Sequence, residues 1–304
     1  MGLGSFNHNS PLCCGLVGSH GHSLANNLFT NADVIIVVGA RMSNRAMHKL
    51  DDLNPEVEII HIDIDPAEIS KNLSITIPVV GDAKEILKEF NSKSLTIKTT
   101  QWLYDINKYK SFNKDIPDDN LGAVSPKKFM KALSDALSDS STLVADVGQN
   151  QFWATRNYSI TKDRTFMTSG GLGTMGYSLP AAIGAKLANS KDQVISTIGD
   201  GGFQMCLAEL AVISEQSLGV KIIIFKNNRL GMVRELQSQV LGPSKTFGVH
   251  LDFEVDFIQL GQAYGIDGIR LDKEADIEHT IKTILADDKP YIVECIVDSN
   301  YNTL

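Results

Sequence analysis

The stretch QVISTIGDGGFQMCLAELAVISEQSLGVKIIIFKNNRLGMVRELQ, from Gln193 to Gln237, holds two strand patterns that each end in ligand-binding residue types. QVISTIGD and VKIIIF are apolar, β-branched runs, and a helical pattern over 205–216 separates them. Buried strands joined by helices predict a parallel sheet covered on both faces. The carboxyl ends of such strands meet at one edge, where open α/β sheets bind their ligands. We therefore expect the motifs GDGG (199–202) and KNN (226–228) to lie at a binding edge.

The GDGG motif predicts a phosphate site that needs a cation. Its glycines let the backbone approach a ligand closely, and N–H groups at the start of a helix favour an anion. These glycines are Gly199, Gly201 and Gly202. The Asp200 carboxylate would repel a phosphate unless a cation lay between them, and Mg²⁺ takes carboxylates together with phosphate oxygens. Asp200, the Asn227 side chain and a carbonyl near Arg229 would supply the protein oxygens. The alternative is that GDG and NN are ordinary turns at strand ends.

The rest of the chain extends the α/β pattern over two regions. β-rich runs occur at 33–40, 58–65 and 76–82 in the first region, and at 141–147, 193–200, 220–225 and 290–298 in the second. Helical patterns in the second region cover about 177–188, 205–216, 253–264 and 273–286. Ser125 as N-cap and Pro126 at the first helical position mark where this region begins. We predict two doubly wound parallel-sheet domains: the C-terminal half of a central domain over 1–92, a linker over 93–122 and a complete domain over 123–304.

Composition excludes several classes of partner. The 304 residues carry a formal net charge of −8, which argues against a nucleic-acid surface or an anionic membrane. No apolar run approaches the roughly 20 residues that span a bilayer. The four cysteines show no CxxC spacing, which predicts free thiols in a reducing compartment and hence a cytoplasmic protein.

Two further stretches identify the type of ligand. SGGLGTMGYSLPAAIGAKLA (169–188) contains the GxGxxG spacing of dinucleotide sites, but the preceding FMTS is a poor strand, which disfavours that interpretation. ADVGQNQFWA (145–154) is a second glycine-containing turn after a strand pattern. Together with GDG (199–201) and NN (227–228), these stretches resemble the thiamine-diphosphate enzymes, and specifically the acetolactate synthase (acetohydroxyacid synthase) family.

The resemblance implies a role for each motif. The carbonyl of Gly173 would accept a hydrogen bond from the 4′-amino group of the cofactor, and Met175 would wedge the cofactor into a bent shape; the alternative for Met175 is core filling. An ungapped comparison favours Asn227 as the cation ligand, with Asn228 as the alternative. The other implied cofactor contacts are Val147, Gly148, Gln149, Asn150, Met232 and Val233. The family commonly has His where this chain has Asn150, which weakens that single contact.

The first region resembles the central domain of the same family, in which some members bind FAD. The matching stretches are GSHG (18–21), VGARMSNR (38–45), HIDIDPAEISKN (61–72) and VVGDAKEIL (79–87). The FAD contacts that they imply are Gly39, Arg41, Asp63, Ile64 and Asp82. The family sequence Arg-Phe-Asp-Asp-Arg is Arg41-Met-Ser-Asn-Arg45 here, without both acids. Either FAD binds in spite of this loss, or the region is a structural sheet that has lost its flavin.

The implied reaction is the decarboxylation of pyruvate and ligation of the two-carbon unit to a second 2-keto acid, in branched-chain amino-acid or acetoin metabolism. In the family, a Glu on a preceding pyrimidine-binding domain activates the cofactor across a dimer interface. We therefore expect a homodimer or tetramer in the intact enzyme, no catalytic acid or base in this chain, and no turnover by the chain alone. Leu236 stands where biosynthetic members often carry Trp, which predicts pyruvate as the acceptor. The alternatives are a pyruvate oxidase, a glyoxylate carboligase, a sulfoacetaldehyde acetyltransferase, or a non-catalytic binding or assembly module.

Overall fold

The chain forms two compact units in the computed structural model, which describes residues 2–43, 53–93, 99–112, 123–161, 165–242, 245–252 and 254–303. The small unit comprises Cys14–Pro117, and the large unit comprises Met1–Cys13 with Asp118–Leu304. The first 13 residues lie with the large unit by spatial contact. Part of the predicted linker over 93–122 forms a 13-residue helix, Thr100–Phe112, in the small unit.

The small unit is built on a three-stranded parallel sheet in the order β1-β2-β3. Its elements are α1 (Ser23–Asn31), β1 (Val34–Val38), β2 (Glu58–Asp63), β3 (Ile77–Val80), α2 (Ala83–Ser92) and α3 (Thr100–Phe112). Asp82 caps α2, since its carboxylate accepts from the backbone N–H groups of Lys84 and Glu85.

The large unit contains a six-stranded, all-parallel sheet in the order β5-β4-β6-β7-β9-β8. Its strands are β4 (Ser141–Ala145), β5 (Thr165–Thr168), β6 (Gln193–Gly199), β7 (Val220–Lys226), β8 (Asp267–Leu271) and β9 (Tyr291–Ile296). Its helices are α4 (Pro126–Ala136), α5 (Gln149–Asn157), α6 (Ser178–Ala188), α7 (Asp200–Gln204), α8 (Leu210–Gln216), α9 (Gly231–Leu241), α10 (Phe257–Ala263) and α11 (Ile277–Ile284). The predicted α/β class with parallel sheets is confirmed in both units.

Apolar side chains cover both faces of the large sheet. One cluster joins α4, α5 and α11 to the sheet, and within it the rings of Trp153 and Phe225 form a T-shaped pair at 5.5 Å between centroids. The other cluster joins α6, α8 and α10 to the opposite face. Strands β4, β6 and β7 are almost entirely buried, which explains their continuous apolar sequences.

Several elements of the large unit differ from the sequence prediction. Most of FMTS, a poor strand by its sequence, lies in β5 (Thr165–Thr168), and DGIRL forms β8; both are edge strands that are only partly buried, so neither has a continuous apolar pattern. The turn after β4 continues directly into α5, and LGMVREL (230–236), which is not among the predicted helices, lies largely within α9. The helix predicted over 205–216 is interrupted: α7 begins earlier, at Asp200, and a 3₁₀ turn over Leu207–Glu209 separates it from α8.

The order of strand addition reverses between β4 and β6, although all the strands run parallel. The chain leaves β4 for β5 on one side and then crosses to β6 and β7 on the other side. A crevice forms at the carboxyl ends where the order reverses, and ligands of open α/β sheets bind there. Within the described part of the chain, no helix is both long and apolar enough to span a membrane.

Candidate functional site

Asp200 lies at this crevice, directly after β6, and is only 3% exposed. Its carboxylate accepts hydrogen bonds from the backbone N–H groups of Gly201 (2.8 Å), Asn227 (3.1 Å) and Asn228 (2.6 Å). Burial raises the pKa of this carboxyl from 3.8 to about 6, and the N–H donors and the Lys226 ammonium oppose that rise only in part. The site therefore holds a buried acid whose charge is incompletely compensated.

Asn227 follows β7, the neighbouring strand, and is 8% exposed. Its Nδ2 donates to Gln149 Oε1 at 2.9 Å, and its Oδ1 accepts from the Arg229 backbone N–H at 3.1 Å. Asn228 has a left-handed φ of 54° and reaches Asp200 through its backbone N–H. The backbone of Arg229 forms a β-bridge with His250. The structure thus brings Asp200, Asn227 and Arg229 together.

The donor set fits a hard cation that shares its coordination shell with a ligand. A carboxylate and an amide oxygen on adjacent strand ends are oxygen ligands of the kind that Mg²⁺ prefers. In the described ranges, no group of three or more His, Cys, Asp or Glu side chains could hold a metal. A cation here would therefore need oxygens from a bound ligand, such as a diphosphate, or from water.

The turn from β4 into α5 lines the other side of the crevice. It contains Val147, Gly148, Gln149 and Asn150. Gly148 has a φ of 143°, a backbone conformation that favours glycine. Asn150 is 2% exposed, and its Oδ1 has no hydrogen-bond partner among the described residues. Its Nδ2 lies 4.0 Å from an ideal Cβ position on Gly199, so this turn contacts the GDGG loop.

Asp146, which the sequence prediction missed, is fully buried at the end of β4. Its Oδ1 accepts from the N–H groups of Tyr177 (2.8 Å) and Ser178 (3.2 Å), and its Oδ2 accepts from Gly176 at 3.0 Å. A Cβ on Gly202 would lie 2.3 Å from Oδ2, so Gly202 must lack a side chain. Burial raises the pKa of Asp146 above its usual range. This carboxylate joins the 169–177 turn to the GDGG loop.

The 169–177 turn carries the two residues that the resemblance assigned to the thiamine end. Gly173 is exposed with a φ of 69°. Met175 is half-buried, and its Cε lies 3.8 Å from an ideal Cβ on Gly201. The structure thus brings Met175 to the GDGG loop.

The N-terminus of α9 packs against the turn from β4 into α5. A Cβ on Gly231 would lie 1.8 Å from Gln149 Oε1, so only glycine fits there. Met232 is half-buried, and Val233 is 44% exposed. Both residues therefore belong to a helix whose first residue packs on the site.

The candidate flavin residues lie in the small unit, at the carboxyl ends of its three strands. Gly39 follows β1 with a φ of 59°, Asp63 ends β2 with Ile64 next to it, and Asp82 follows β3. The Asp63 carboxylate accepts from the Asp65 N–H at 3.0 Å, and Asp82 is engaged as the cap of α2.

Arg41 is exposed, and its carbonyl accepts from the Asn72 side chain. Arg45, at the end of the same motif, lies outside the described residues. With both described acids bonded to backbone, these residues give an incomplete fit to a flavin.

Family models match both units. The thiamine pyrophosphate enzyme central domain matches residues 1–90, and the thiamine pyrophosphate enzyme C-terminal TPP binding domain matches residues 146–295.

Curated relatives carry a consistent name. The chain is 40% identical over 307 residues to the probable acetolactate synthase large subunit of Methanocaldococcus jannaschii, covering 98% of this chain and 52% of the relative. It is 37% identical to the acetolactate synthase large subunit of Cyanidium caldarium over 99% of this chain and 52% of that relative. It is 34% identical to the acetolactate synthase isozyme 2 large subunit of Escherichia coli over 99% of this chain and 54% of that relative. The chain spans about half the length of the curated relatives it matches.

Proposed function

The chain belongs to the thiamine pyrophosphate enzymes, and we propose that its large unit binds Mg²⁺ and thiamine diphosphate as part of an acetolactate synthase. The buried Asp200 carboxylate beside Asn227, at the crevice where strand order reverses, carries this proposal. A buried acid with a raised pKa is costly without a counter-charge, and a divalent cation would supply that charge.

The cation would be held by Asp200, the Asn227 side-chain oxygen and the Arg229 carbonyl. The diphosphate would meet the Gly201 and Gly202 backbone and the turn formed by Val147, Gly148, Gln149 and Asn150. Glycines in both loops allow the close backbone approach that such an anion requires.

The thiamine end would be held by the 169–177 turn. Asp146 fixes the backbone of Gly176, Tyr177 and Ser178, and thereby the place of Met175 relative to the GDGG loop. Met175 would press the two rings of the cofactor into a bent conformation, and the Gly173 carbonyl would accept from its amino group. Met232 and Val233 would face the substrate.

Thiamine diphosphate supplies the electron sink for cleavage and formation of carbon–carbon bonds. With it, the intact enzyme would decarboxylate pyruvate and ligate the two-carbon unit to a second 2-keto acid, in branched-chain amino-acid or acetoin metabolism. Leu236 is 61% exposed on α9 and provides less side-chain bulk than Trp, which favours pyruvate as the acceptor. Leu236→Trp in the intact enzyme should shift the product ratio toward acetohydroxybutyrate when pyruvate and 2-ketobutyrate compete. An unchanged ratio would contradict this assignment.

The activating Glu and its pyrimidine-binding domain would come from sequence other than this chain, in a cytoplasmic homodimer or tetramer. The chain alone should then have no turnover. The small unit is either a structural sheet or a flavin site, and the absorbance spectrum of the purified protein distinguishes the two. Visible absorbance of a flavin would establish flavin binding.

Product analysis of the intact protein tests the proposed reaction. Acetolactate from pyruvate, dependent on Mg²⁺ and thiamine diphosphate, is the expected result. Hydrogen peroxide with acetyl phosphate, or condensation of glyoxylate, would assign a sibling enzyme of the family. Absence of any cofactor binding by the intact protein would favour an assembly module.

A further inference from the structure

Every polar atom of the Gln149 side chain has a fixed partner. Its Nε2 donates to Glu235 Oε1 at 2.6 Å and to the Tyr301 carbonyl at 2.8 Å, while its Oε1 accepts from Asn227 Nδ2 at 2.9 Å. Exchanging the oxygen and nitrogen of Gln149 would set Oε1 against two acceptors and Nε2 against a donor. Because Gln149 is 5% exposed, water cannot readily compensate for such a flip.

Glu235 and the Tyr301 carbonyl together fix this orientation, because both only accept hydrogen bonds. An ionised carboxylate only accepts hydrogen bonds, whereas an amide both donates and accepts. The Glu235 side chain is 13% exposed, and its Oε1 also accepts from the Thr303 N–H at 2.7 Å. The Arg234 guanidinium lies 3.7 Å from the same oxygen. Glu235 is therefore a well-anchored acceptor at one end of a chain of two amides.

The other end of that chain is the candidate cation ligand. Since Gln149 Oε1 takes the Nδ2 group of Asn227, the Asn227 oxygen is directed to the other side, where it accepts one bond, from Arg229. One lone pair of that oxygen remains for a cation, and only the oxygen of an amide can bind Mg²⁺.

We infer that Glu235 is a positioning residue for the cation site, which acts through Gln149 to keep the Asn227 oxygen facing the cation. This inference rests on the proposed function and extends it to a residue that would not itself touch cofactor or substrate. Groups that orient metal ligands from outside the coordination shell typically contribute 10- to 100-fold to metal affinity.

The test is the affinity of the chain for Mg²⁺, measured by calorimetry with thiamine diphosphate at a saturating concentration. Glu235→Gln keeps the shape of the side chain but replaces an acceptor-only carboxylate with an amide that can also donate, so it weakens one of the two contacts, with the Tyr301 carbonyl as the other, that fix the orientation of Gln149. It should weaken Mg²⁺ binding by about 10- to 100-fold. Asp252→Asn is the matched control, because it removes one exposed carboxylate next to Leu251, whose N–H bonds the Asn228 carbonyl. The Mg²⁺ affinity of the control should stay within about 3-fold of the wild-type value, as expected for a screened surface charge.

Asn227→Asp distinguishes orientation from general structural damage. A carboxylate has two equivalent oxygens, so its cation affinity cannot depend on which end faces Gln149. In the Asn227→Asp background, Glu235→Gln should leave Mg²⁺ affinity unchanged or improve it, since Gln149 can then turn its amide nitrogen to the new acid. An equal loss in both backgrounds, or no loss in either, would overturn the inference.

Hydrogen exchange in the absence of metal and cofactor tests the role of Glu235 independently of the proposed function. In ¹⁵N-labelled protein without metal, the Asn227 side-chain amide hydrogens should exchange with solvent faster in Glu235→Gln than in wild type or Asp252→Asn. Unchanged exchange would overturn the positioning role even if Mg²⁺ binds. If wild type binds no Mg²⁺ with thiamine diphosphate, the proposed function fails, and the exchange experiment still decides whether Glu235 orients the amides.

Discussion

Asp146→Asn should destabilise the chain and release the turn that carries Met175. The carboxylate is fully buried and accepts backbone hydrogen bonds at 2.8 to 3.2 Å from each of the residues 176–178. An amide of the same shape has one oxygen and one NH₂ group, so the NH₂ group must face at least one backbone N–H donor. That donor loses its acceptor, and the remaining bonds lose the assistance of a charge.

The expected cost follows from these contacts. One unsatisfied buried donor costs about 1–3 kcal/mol, and weaker neutral bonds to the other two donors add about 1 kcal/mol. Removing a charge that burial disfavours, as the raised pKa of Asp146 indicates, offsets part of this. We expect a net loss of about 2 kcal/mol in the free energy of unfolding.

Urea unfolding measures this loss, with Asp139→Asn on an exposed turn as the control for the same chemical change. The control should stay within about 0.5 kcal/mol of wild type. Amide hydrogen exchange should show loss of protection at 176–178 in Asp146→Asn only. Wild-type stability together with full protection of these three amides would refute the role given to Asp146.

Two other predictions concern stability near the crevice. In EDTA, the free energy of unfolding of wild type relative to Asp200→Asn should fall by about 3 kcal/mol as the pH rises from 3.8 to about 6, and then level off. The reason is that the folded chain retains a proton on Asp200 that the unfolded chain has already released. Urea unfolding across this pH range measures the difference, and a difference that does not change with pH would contradict a raised pKa for Asp200. Gly231→Ala should lower the free energy of unfolding by more than about 2 kcal/mol, because its Cβ would lie 1.8 Å from Gln149 Oε1. Gly184→Ala in α6, where a Cβ would have nothing within 4 Å, should instead stabilise the chain by up to about 1 kcal/mol. Equal shifts in melting temperature for the two variants would contradict the close packing at Gly231.

Local sequence was sufficient for the central strands and for the GDGG loop. Strands β6 and β7 are buried on both faces, so their apolar runs are continuous, and Asp200 follows β6 as predicted. Edge strands β5 and β8 have only one neighbour and partial burial, so their sequences TFMT and DGIRL lack that signal. Helix α5 was missed because its first turn is occupied by polar residues of the crevice.

The missed site residues act through contacts that are distant in sequence. Asp146 bonds residues 30 to 32 positions away, and Glu235 reaches Gln149 across 86 positions. Neither role follows from residue type or spacing, since a buried acid after a strand and an acid on a helix are common. The ADVGQN stretch itself contained a usable signal: an acid before a turn glycine at the end of a buried strand.

We propose that the large unit binds a diphosphate through a cation held by Asp200 and Asn227. Calorimetric titration of thiamine diphosphate into the chain tests it most directly, with Mg²⁺, with EDTA, and with Mg²⁺ on Asp200→Ala and Asp252→Asn. We predict binding that requires Mg²⁺, that Asp200→Ala abolishes and that Asp252→Asn retains. Binding that persists in EDTA or in Asp200→Ala, or no binding at saturating Mg²⁺, would contradict the claim.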